Sequence, residues 1–490
     1  MDETATIGRF SSAALHADDL RVTAIEGTER LSALYEFRVR FRHDAGLLSE
    51  DELSQVLLAP CALALGPDDD DVVKGIAREV TVLQAVEGRP TLYEVTVVPA
   101  VWLLTVSKMS RIYQKMSVKD MAKDVLERYG LGSSQHFDLR IDAPDPREFC
   151  VQYHESDWDY LQRWFEHEGY FYWFEHSADG GETLVVADSN RAARPIPGNA
   201  ALPYRDLGGL NRAVDSVFDW RSTQRRVAAR VVLKDYNDQK PLLAMVGHAE
   251  VNGKGGLGTF LEYGDNFDSP SLGNKLAKKR AEMLRAGQLT LSGVTDCPRF
   301  HVGHTFSLTG HFETEHDREY LITKIVHHLG PIAAAGGGEM AMGLRASFEA
   351  IPRSVQFRPE RTTEWPSIHG LMHGHVDSDR SGKLSTLDAQ GRYRVRLPFD
   401  TTGSKGEAAS MWVRMAQPYS GPGYGTHHPL HKGTEVLLAF YDGDPDRPVI
   451  VGTVPNRVTP GPSAAENASQ SMTRTASGIE ITMDDSVSKG

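Results

Sequence analysis

The chain has 490 residues, of which 40% are apolar and 24% are charged. This balance is typical of a folded protein and excludes a largely disordered one, and the length favours roughly three domains. With 66 acidic and 53 basic residues the net charge is −13, which disfavours a protein that binds nucleic acid over its whole surface.

Targeting signals are missing from the first twenty residues, MDETATIGRFSSAALHADDL, because no basic start precedes an apolar core. No run of about 18 apolar residues occurs anywhere in the sequence. We therefore expect the protein to be made and folded in the cytoplasm. The three cysteines, Cys61, Cys150 and Cys297, are far apart and odd in number, so they predict buried thiols and not a disulfide framework or a zinc site.

Short strands dominate the first 360 residues. Apolar and polar residues alternate with period two, which predicts strands with one buried face, and Gly, Pro and Asp clusters separate them. The strongest such segments are residues 35–41, 92–98, 226–233, 305–308, 319–326 and 344–348. The fold class is therefore mainly β.

Two helical insertions are predicted in this region. The first begins at Ser117, where Asp120 completes a pattern resembling a capping box, and it stops at Gly130. The second covers residues 271–289, which are rich in Lys, Ala, Leu and Arg. Both are interpreted as packing elements.

A third helix is predicted in the segment HESDWDYLQRWFEHEGYFYWFEH, residues 154–176, which is rich in histidine, acids and aromatic rings. Ser156 fits an N-cap, Gly169 fits a helix end, and an apolar stripe includes Leu161 and Trp164. Glu166 lies off this stripe, so we expect Glu166→Gln to change stability little. A catalytic carboxylate pair is the alternative reading of the same acids.

The C-terminal quarter has a separate pattern. Breaks in the periodicity are predicted at residues 330–331 and 333–338 and, more strongly, at 357–366. Short strands with glycine corners return between residues 368 and 456. They predict a small, closed or partly closed β-barrel. A last alternating stretch, residues 479–483, has no evident partner in its own chain, so it needs another subunit or stays frayed.

Three motifs point to other chemistry. Residues 253–258 match G-x-G-x-x-G, but the residues that follow do not open a helix for a pyrophosphate, so no dinucleotide cofactor is expected. Asp442, Asp444 and Asp446 lack the other EF-hand positions and fit a tight turn. His369, His373 and His375 lie close in sequence without an acid or Cys to complete a metal site, and they would be the ligands of a metal-dependent hydrolase.

Two blocks of sequence resemble the VgrG family, the spike proteins of bacterial type VI secretion systems. The first is FCVQYHESDWDYL at residues 149–161, followed by Arg163 and by EGY at 168–170. The second comprises Asp388, GRYRV (391–395), FD (399–400), WVR (412–414), Gly433, EV (435–436), GDPDRP (443–448), Gly452 and Asn456. The order and spacing of the blocks match the family over residues 20–456. Phe399 stands where the family usually has Trp.

The resemblance implies an architecture like that of a phage tail spike. Residues 1–365 would form a tail hub-like region of two β-barrel-like subdomains with helical insertions. Residues 366–456 would form an oligonucleotide/oligosaccharide-binding (OB) barrel, a name that implies no binding activity. Residues 457–490 would form a linker and the short beginning of a trimeric β-helix needle. Because only 34 residues follow Asn456, we expect a short or truncated needle and no C-terminal effector domain.

The function that the resemblance implies is structural. A homotrimer would sit on the Hcp tube, contact baseplate components and a PAAR-repeat tip protein, and carry effector or adaptor proteins without binding nucleic acid. It would assemble in the cytoplasm and leave through the contractile apparatus. No catalytic, cofactor-binding or metal-binding residue is expected. The alternatives are a hub of a phage tail or extracellular contractile particle, and the hydrolase that would use the three histidines.

Overall fold

The structure, a computed structural model, describes residues 8–66, 72–142, 144–177, 181–205, 214–251, 255–333 and 340–486. Its α-helices are α1 (Glu50–Val56), α2 (Val118–Arg128), α3 (Asp157–Glu168) and α4 (Pro270–Ala286). None of these helices combines the length and the apolar composition that crossing a membrane requires.

Strands make up most of the regular structure, as the sequence predicted. In chain order they are β1 (Arg9–Ser12), β2 (Leu20–Arg30), β3 (Glu36–His43), β4 (Pro60–Ala64), β5 (Val72–Gln84), β6 (Thr91–Val98), β7 (Lys108–Met116), β8 (Phe137–Arg140), β9 (Arg147–Ser156), β10 (Phe171–His176), β11 (Glu182–Ala187), β12 (Arg194–Pro195), β13 (Ala201–Pro203), β14 (Val217–Gln224), β15 (Arg230–Asp235), β16 (Met245–Glu250), β17 (Thr259–Tyr263), β18 (Leu289–Thr295), β19 (His304–Thr309), β20 (Glu319–Ala333), β21 (Met340–Pro352), β22 (Met372–Asp377), β23 (Arg394–Arg396), β24 (Arg414–Met415), β25 (Ser420–Gly421), β26 (Tyr424–Gly425), β27 (Glu435–Phe440), β28 (Pro448–Thr453), β29 (Gln470–Arg474) and β30 (Glu480–Asp484).

The chain divides into two compact units. The N-terminal unit runs to Lys108 and includes Ser117–Asp145 and Ser156–Glu364. The C-terminal unit contains the chain from Trp365 together with two earlier segments, Met109–Met116 and Pro146–Glu155. The sequence had assigned both segments to the hub-like region of residues 1–365. Both segments belong instead to the C-terminal unit, because their apolar side chains pack in a core whose other residues follow about 250 positions later in the sequence.

A 13-stranded sheet is the main element of the N-terminal unit. Its central order is β1-β4-β5-β6-β3-β2-β20-β21-β18-β14, and β19 joins it through β20 while pairing with β12 and β13. Strands β2, β3, β20 and β21 pair with antiparallel neighbours over long registers. The break predicted at residues 330–331 is wrong there, since Gly330 pairs with Gly343 and Pro331 with Met342 inside the long β20–β21 hairpin. Residues 334–338 of that prediction lie outside the described residues.

Helix α3 has the caps that its sequence predicts. The hydroxyl of Ser156 accepts a hydrogen bond from the backbone N–H of Asp159, and Gly169 ends the helix at φ +67°. Leu161 and Trp164 are buried, as expected. Glu166 differs from the expectation, because its side chain is only 2% exposed and accepts hydrogen bonds from the backbone and hydroxyl groups of residues 362 and 363.

The two other long helices confirm their predicted positions. Ser117 and Asp120 form a capping box at the start of α2. Helix α4 begins after the N-cap Ser269 and packs on β15 and β16. Gly273 of α4 meets Gly247 of β16 so closely that a Cβ atom on Gly247 would lie 2.2 Å from the Gly273 carbonyl carbon. Two glycines therefore set the distance between this helix and its sheet.

The C-terminal unit contains a five-stranded sheet in the order β23-β22-β27-β28-β24, of the size expected for an OB barrel. Its core takes Ile112, Phe149 and Val151 from the two earlier segments, which pair as β7 and β9. The turn predicted at residues 442–446 is confirmed, because the carboxylate of Asp444 accepts from the N–H of Asp446 at 2.9 Å. Asp446 in turn accepts from the N–H of Val151 at 2.6 Å and so ties β9 to this turn.

All three cysteines are buried and none forms a disulfide, which confirms the prediction from their spacing. Burial raises the pKa of the Cys61 thiol to about 11 and that of Cys297 to about 12. Such thiols are protonated at neutral pH and are poor nucleophiles.

Candidate functional site at the C-terminal hairpin

The last described strands form an antiparallel hairpin, β29–β30. Thr473 pairs with Ile481 and Ser471 with Met483. The turn includes Gly478 at φ +92°, a backbone conformation that glycine adopts without strain. The expectation that residues 479–483 lack a partner in their own chain is therefore wrong. The partner strand, QSMTR, has no alternating apolar residues, so its pattern gave no strand signal.

The two faces of this hairpin differ in chemistry. One face carries Ile481 and Met483, with Ile479 just before the strand, and these side chains are 66%, 63% and 68% exposed. The other face carries polar side chains, including Arg474 and Glu480. Because successive residues of a strand point to opposite sides, the alternation separates the apolar and polar faces completely along β30. We call Ile479, Ile481 and Met483 the apolar hairpin face.

Polar contacts fix the register of the hairpin from its opposite face. The guanidinium of Arg474 donates to the carboxylate of Glu480 at 2.5 Å, and the hydroxyl of Ser469 donates to Asp484 at 2.7 Å. Hydrogen bonds from Thr482 and Arg474 lower the pKa of Glu480, and the bond from Ser469, with others, lowers the pKa of Asp484. These charged groups are exposed on one side of the hairpin, and the apolar side chains lie on the other side.

An isolated two-stranded hairpin is marginally stable in water. Every residue of β30 is exposed, so in the described part of this chain the apolar hairpin face has no cover. Three neighbouring large apolar side chains in this state are typical of a surface that another chain buries.

The residues considered for metal binding and for dinucleotide binding do not converge on a site. His373 and His375 lie two apart on β22 with ring centroids 6.3 Å apart, and His369 is exposed. Their ligand atoms do not converge to within 4.8 Å with a third ligand among the described residues. Gly253 and Lys254 lie outside the described residues, and the segment after the motif is strand β17 and not a helix.

The acids of residues 154–176 have structural partners. Asp157 accepts a hydrogen bond from the hydroxyl of Tyr129 at 2.9 Å and lies 3.5 Å from the guanidinium of Arg128. The carboxylate of Glu166 accepts hydrogen bonds from residues 362 and 363, as described above. The geometry therefore gives these acids roles in packing α3.

One convergent group of titratable residues was missed by sequence reasoning. Glu29, His301 and His327 bring three potential ligand atoms to within 4.8 Å of one another. Glu29 lies 272 positions from His301 and 298 from His327 in the sequence, so no local spacing motif could have found the group.

A long antiparallel sheet, a five-stranded sheet of the size expected for an OB barrel and an exposed terminal hairpin are the elements expected of a baseplate hub protein. In agreement, residues 28–331, more than half of the chain, match the family described as "Phage tail baseplate hub (GPD)". Residues 383–454 match the family described as "Type VI secretion system/phage-baseplate injector OB domain".

A curated relative makes the assignment more specific. The type VI secretion system spike protein VgrG1b of Pseudomonas aeruginosa is 28% identical over 454 residues, which are 90% of this chain and 59% of the relative. The chain belongs to the phage tail baseplate hub (GPD) family, and VgrG spike proteins are similar to it over most of its length. The chain spans less than two thirds of the length of that relative.

Solved structures share the fold. The E. coli c3393 protein, a component of the type VI secretion system with structural similarity to the T4 bacteriophage tail proteins gp27 and gp5, is 21% identical and superimposes with a TM-score of 0.66 over 91% of this chain and 100% of that chain. A chain of the half-lidded Francisella PdpA-VgrG complex is 8% identical, with a TM-score of 0.60 over 98% and 83% of the two chains. The mainly β fold predicted from the sequence is confirmed.

Proposed function

We propose that this protein is the spike subunit of a type VI secretion system. Three copies would assemble into a hub whose C-terminal hairpins begin a shared needle. The observation that carries the proposal is the apolar hairpin face, which follows the hub region and the OB region in the sequence. Its role in the machine is mechanical, so no catalytic residue is assigned to it.

Trimerisation would give the apolar hairpin face the cover that it lacks. Three copies related by a threefold axis would turn Ile479, Ile481 and Met483 toward that axis and leave the Arg474–Glu480 face in water. Burying each such side chain contributes about 1.5–3 kcal/mol. Pairing between copies would also satisfy the free backbone edges of β29 and β30.

The partners belong to the same proposal. A trimeric hub would stack on the Hcp tube, contact baseplate components, and present its needle to a PAAR-repeat tip protein and to effectors or adaptors. The Francisella relative, solved as a PdpA-VgrG complex, supports a cargo role. We propose assembly in the cytoplasm and export through the contractile apparatus.

A secretion assay tests this function. In the organism that carries the gene, a deletion strain is complemented with the wild type, with Ile481→Lys or with Thr482→Lys, whose side chain lies on the opposite hairpin face. We expect the wild type and Thr482→Lys to restore Hcp and the spike itself to the culture supernatant, and Ile481→Lys to restore neither. Unchanged Hcp export in the deletion strain would refute the proposal.

A hub of a phage tail or extracellular contractile particle is the second candidate. It is favoured by the first family match, whose description names a phage baseplate hub. The neighbouring genes separate the two candidates, since only a type VI system requires genes for a membrane complex and only a phage requires genes for a capsid.

A further inference from the structure

Three side chains meet inside the N-terminal unit. Both histidine contacts are made to the same oxygen: Nε2 of His327 lies 2.6 Å and Nδ1 of His301 lies 2.8 Å from Oε1 of Glu29. The side chains of Glu29 and His327 are 4% and 0% exposed, and that of His301 is 15% exposed. The group is therefore nearly closed to solvent, with His301 on its accessible side.

Strand pairing holds two of the three residues in place. Gly27 of β2 pairs with His327 of β20, which brings Glu29, two residues along the same face, next to the imidazole. Gly27 also pairs with Phe37 of β3, whose ring fills the space above the glycine and stacks on the His327 ring at 5.5 Å. A Cβ atom on Gly27 would lie 2.1 Å from that ring. The His327 ring is thus fixed by packing.

A tight turn positions the third residue. His301 lies just before Gly303, which has φ +77° and donates its N–H to the carbonyl of Ile322 at 3.2 Å. A Cβ atom on Gly303 would lie 2.3 Å from the ring of Trp173, so only glycine fits there. This turn places His301 beside Glu29 from a different part of the chain.

Glu29 is the one acidic residue of this group of three. A carboxylate as deeply buried as Glu29 requires a positive partner. Among the described residues no Lys or Arg forms an ion pair with Glu29, whose partners are the two imidazoles. A divalent cation between the three groups would balance the charge of the carboxylate and use both imidazoles as ligands.

We infer that Glu29, His301 and His327 form a binding site for one divalent transition-metal ion of the zinc class. Two imidazole nitrogens and one carboxylate oxygen are a ligand set that Zn²⁺ prefers, with a water molecule in the fourth position. Bonds of about 2.0–2.1 Å in a tetrahedron separate ligand atoms by roughly 3.4 Å. The histidine nitrogens must therefore withdraw from Glu29 by less than about 1 Å. Each bound imidazole keeps one proton on the nitrogen that faces away from the ion, so a neutral ring changes tautomer and a protonated ring releases one proton to solvent.

The surroundings limit the strength of binding. Nδ1 of His327 has no hydrogen-bond partner among the described residues, although metal-bound histidines usually donate from the second nitrogen. The missing bond lowers metal affinity by about 10–100-fold relative to a fully supported site. The bound ion would link β2, β20 and the turn at residues 301–303.

Metal reconstitution of the full chain tests the inference. The protein is stripped with a chelator, dialysed, incubated with micromolar ZnCl₂ and desalted, and the retained zinc is measured by mass spectrometry. We expect one zinc per chain and a higher melting temperature for the loaded protein. His301→Gln, at the accessible side of the group, should lose both effects, while His373→Gln in the C-terminal unit should retain both.

Two results would overturn the site: no zinc retained by the folded wild type, or zinc retained equally by His301→Gln. The first would mean that the three residues form only a hydrogen-bonded network. If His301→Gln fails to fold, X-ray absorption of the zinc-loaded wild type decides without a variant. Two imidazoles with oxygen ligands support the site, and any other first shell, including one with three imidazoles, contradicts it.

Discussion

The hydroxyl of Tyr35 contacts the carboxyl group of Glu182 in the interior of the N-terminal unit. The same hydroxyl contacts the backbone carbonyl of Lys74, and the N–H of Ala100 donates to the other carboxyl oxygen. Burial raises the pKa of Glu182 to about 7 and that of Tyr35 well above its usual range. A protonated Glu182 that donates to Tyr35, while Tyr35 donates to Lys74, satisfies every group in this chain of hydrogen bonds.

Replacing Glu182 with Gln should change how stability depends on pH. The pKa is about 7 in the folded state and 4.5 in the reference state, so between these values the unfolded chain has lost a proton that the folded chain retains. The stabilisation is complete below pH 4.5 and is lost as pH rises toward 7, by about 3 kcal/mol. Glu182→Gln stays neutral and keeps the bonds, so urea unfolding at several pH values should show this slope removed. An identical slope in both proteins would contradict the assignment.

Glu166 should be important for stability although it lies off the apolar stripe of α3. Its carboxylate accepts from the backbone N–H groups of Thr362 and Thr363 at 2.9 and 3.0 Å. Glu166→Gln removes the negative charge that these donors surround and, with its oxygen kept toward the backbone groups, turns its NH₂ toward the side-chain amide of Gln162, which donates to Glu166 at 3.1 Å. The change should lower the free energy of unfolding by about 2–4 kcal/mol. Glu127→Gln, on the exposed side of α2, is the matched control and should change it by less than about 0.5 kcal/mol. Equal effects of the two changes would argue against a stabilising role for the hydrogen bonds between Glu166 and residues 362 and 363.

The contact between α4 and β16 should tolerate no added methyl group. Gly247→Ala would place Cβ 2.2 Å from backbone atoms of Gly273, which cannot rotate away. We expect a loss of about 1–3 kcal/mol or more, as for an overpacked core. Gly452→Ala, in strand β28 with no atom within 4 Å of its Cβ position, should be close to neutral in the same unfolding measurement. A neutral Gly247→Ala would mean that the helix shifts freely on its sheet.

Much of the fold follows from local patterns in the sequence. Alternation in β3 and β6, the capping box at Ser117 and the Ser156 and Gly169 caps of α3 all have physical signals within a few residues. Long-range relationships had no such signal. Val151 joins a core completed near residue 450, and its N–H binds Asp446, 295 positions away. Pro331 continues a strand that its local propensity argues against, because β20 already pairs with β21 on both sides of it.

In the candidate sites, too, only the features with a local sequence signal could be predicted. Ile481 and Met483 were visible as a final alternating strand, but its partner β29 lacks apolar alternation and was not predicted. Glu29 and His327 come together only because β2 pairs with β20, and a non-local register of this kind cannot be read from the spacing of histidines.

Assembly into a trimer is the central claim, and the mass of the purified chain in solution tests it most directly. Size-exclusion chromatography with light scattering should give about three times the chain mass of 54.1 kDa, and Ile481→Lys should shift the population toward monomer while Thr482→Lys leaves it unchanged. A wild-type mass of one chain at every concentration, or a trimer unaffected by Ile481→Lys, would contradict the assembly role of the apolar hairpin face.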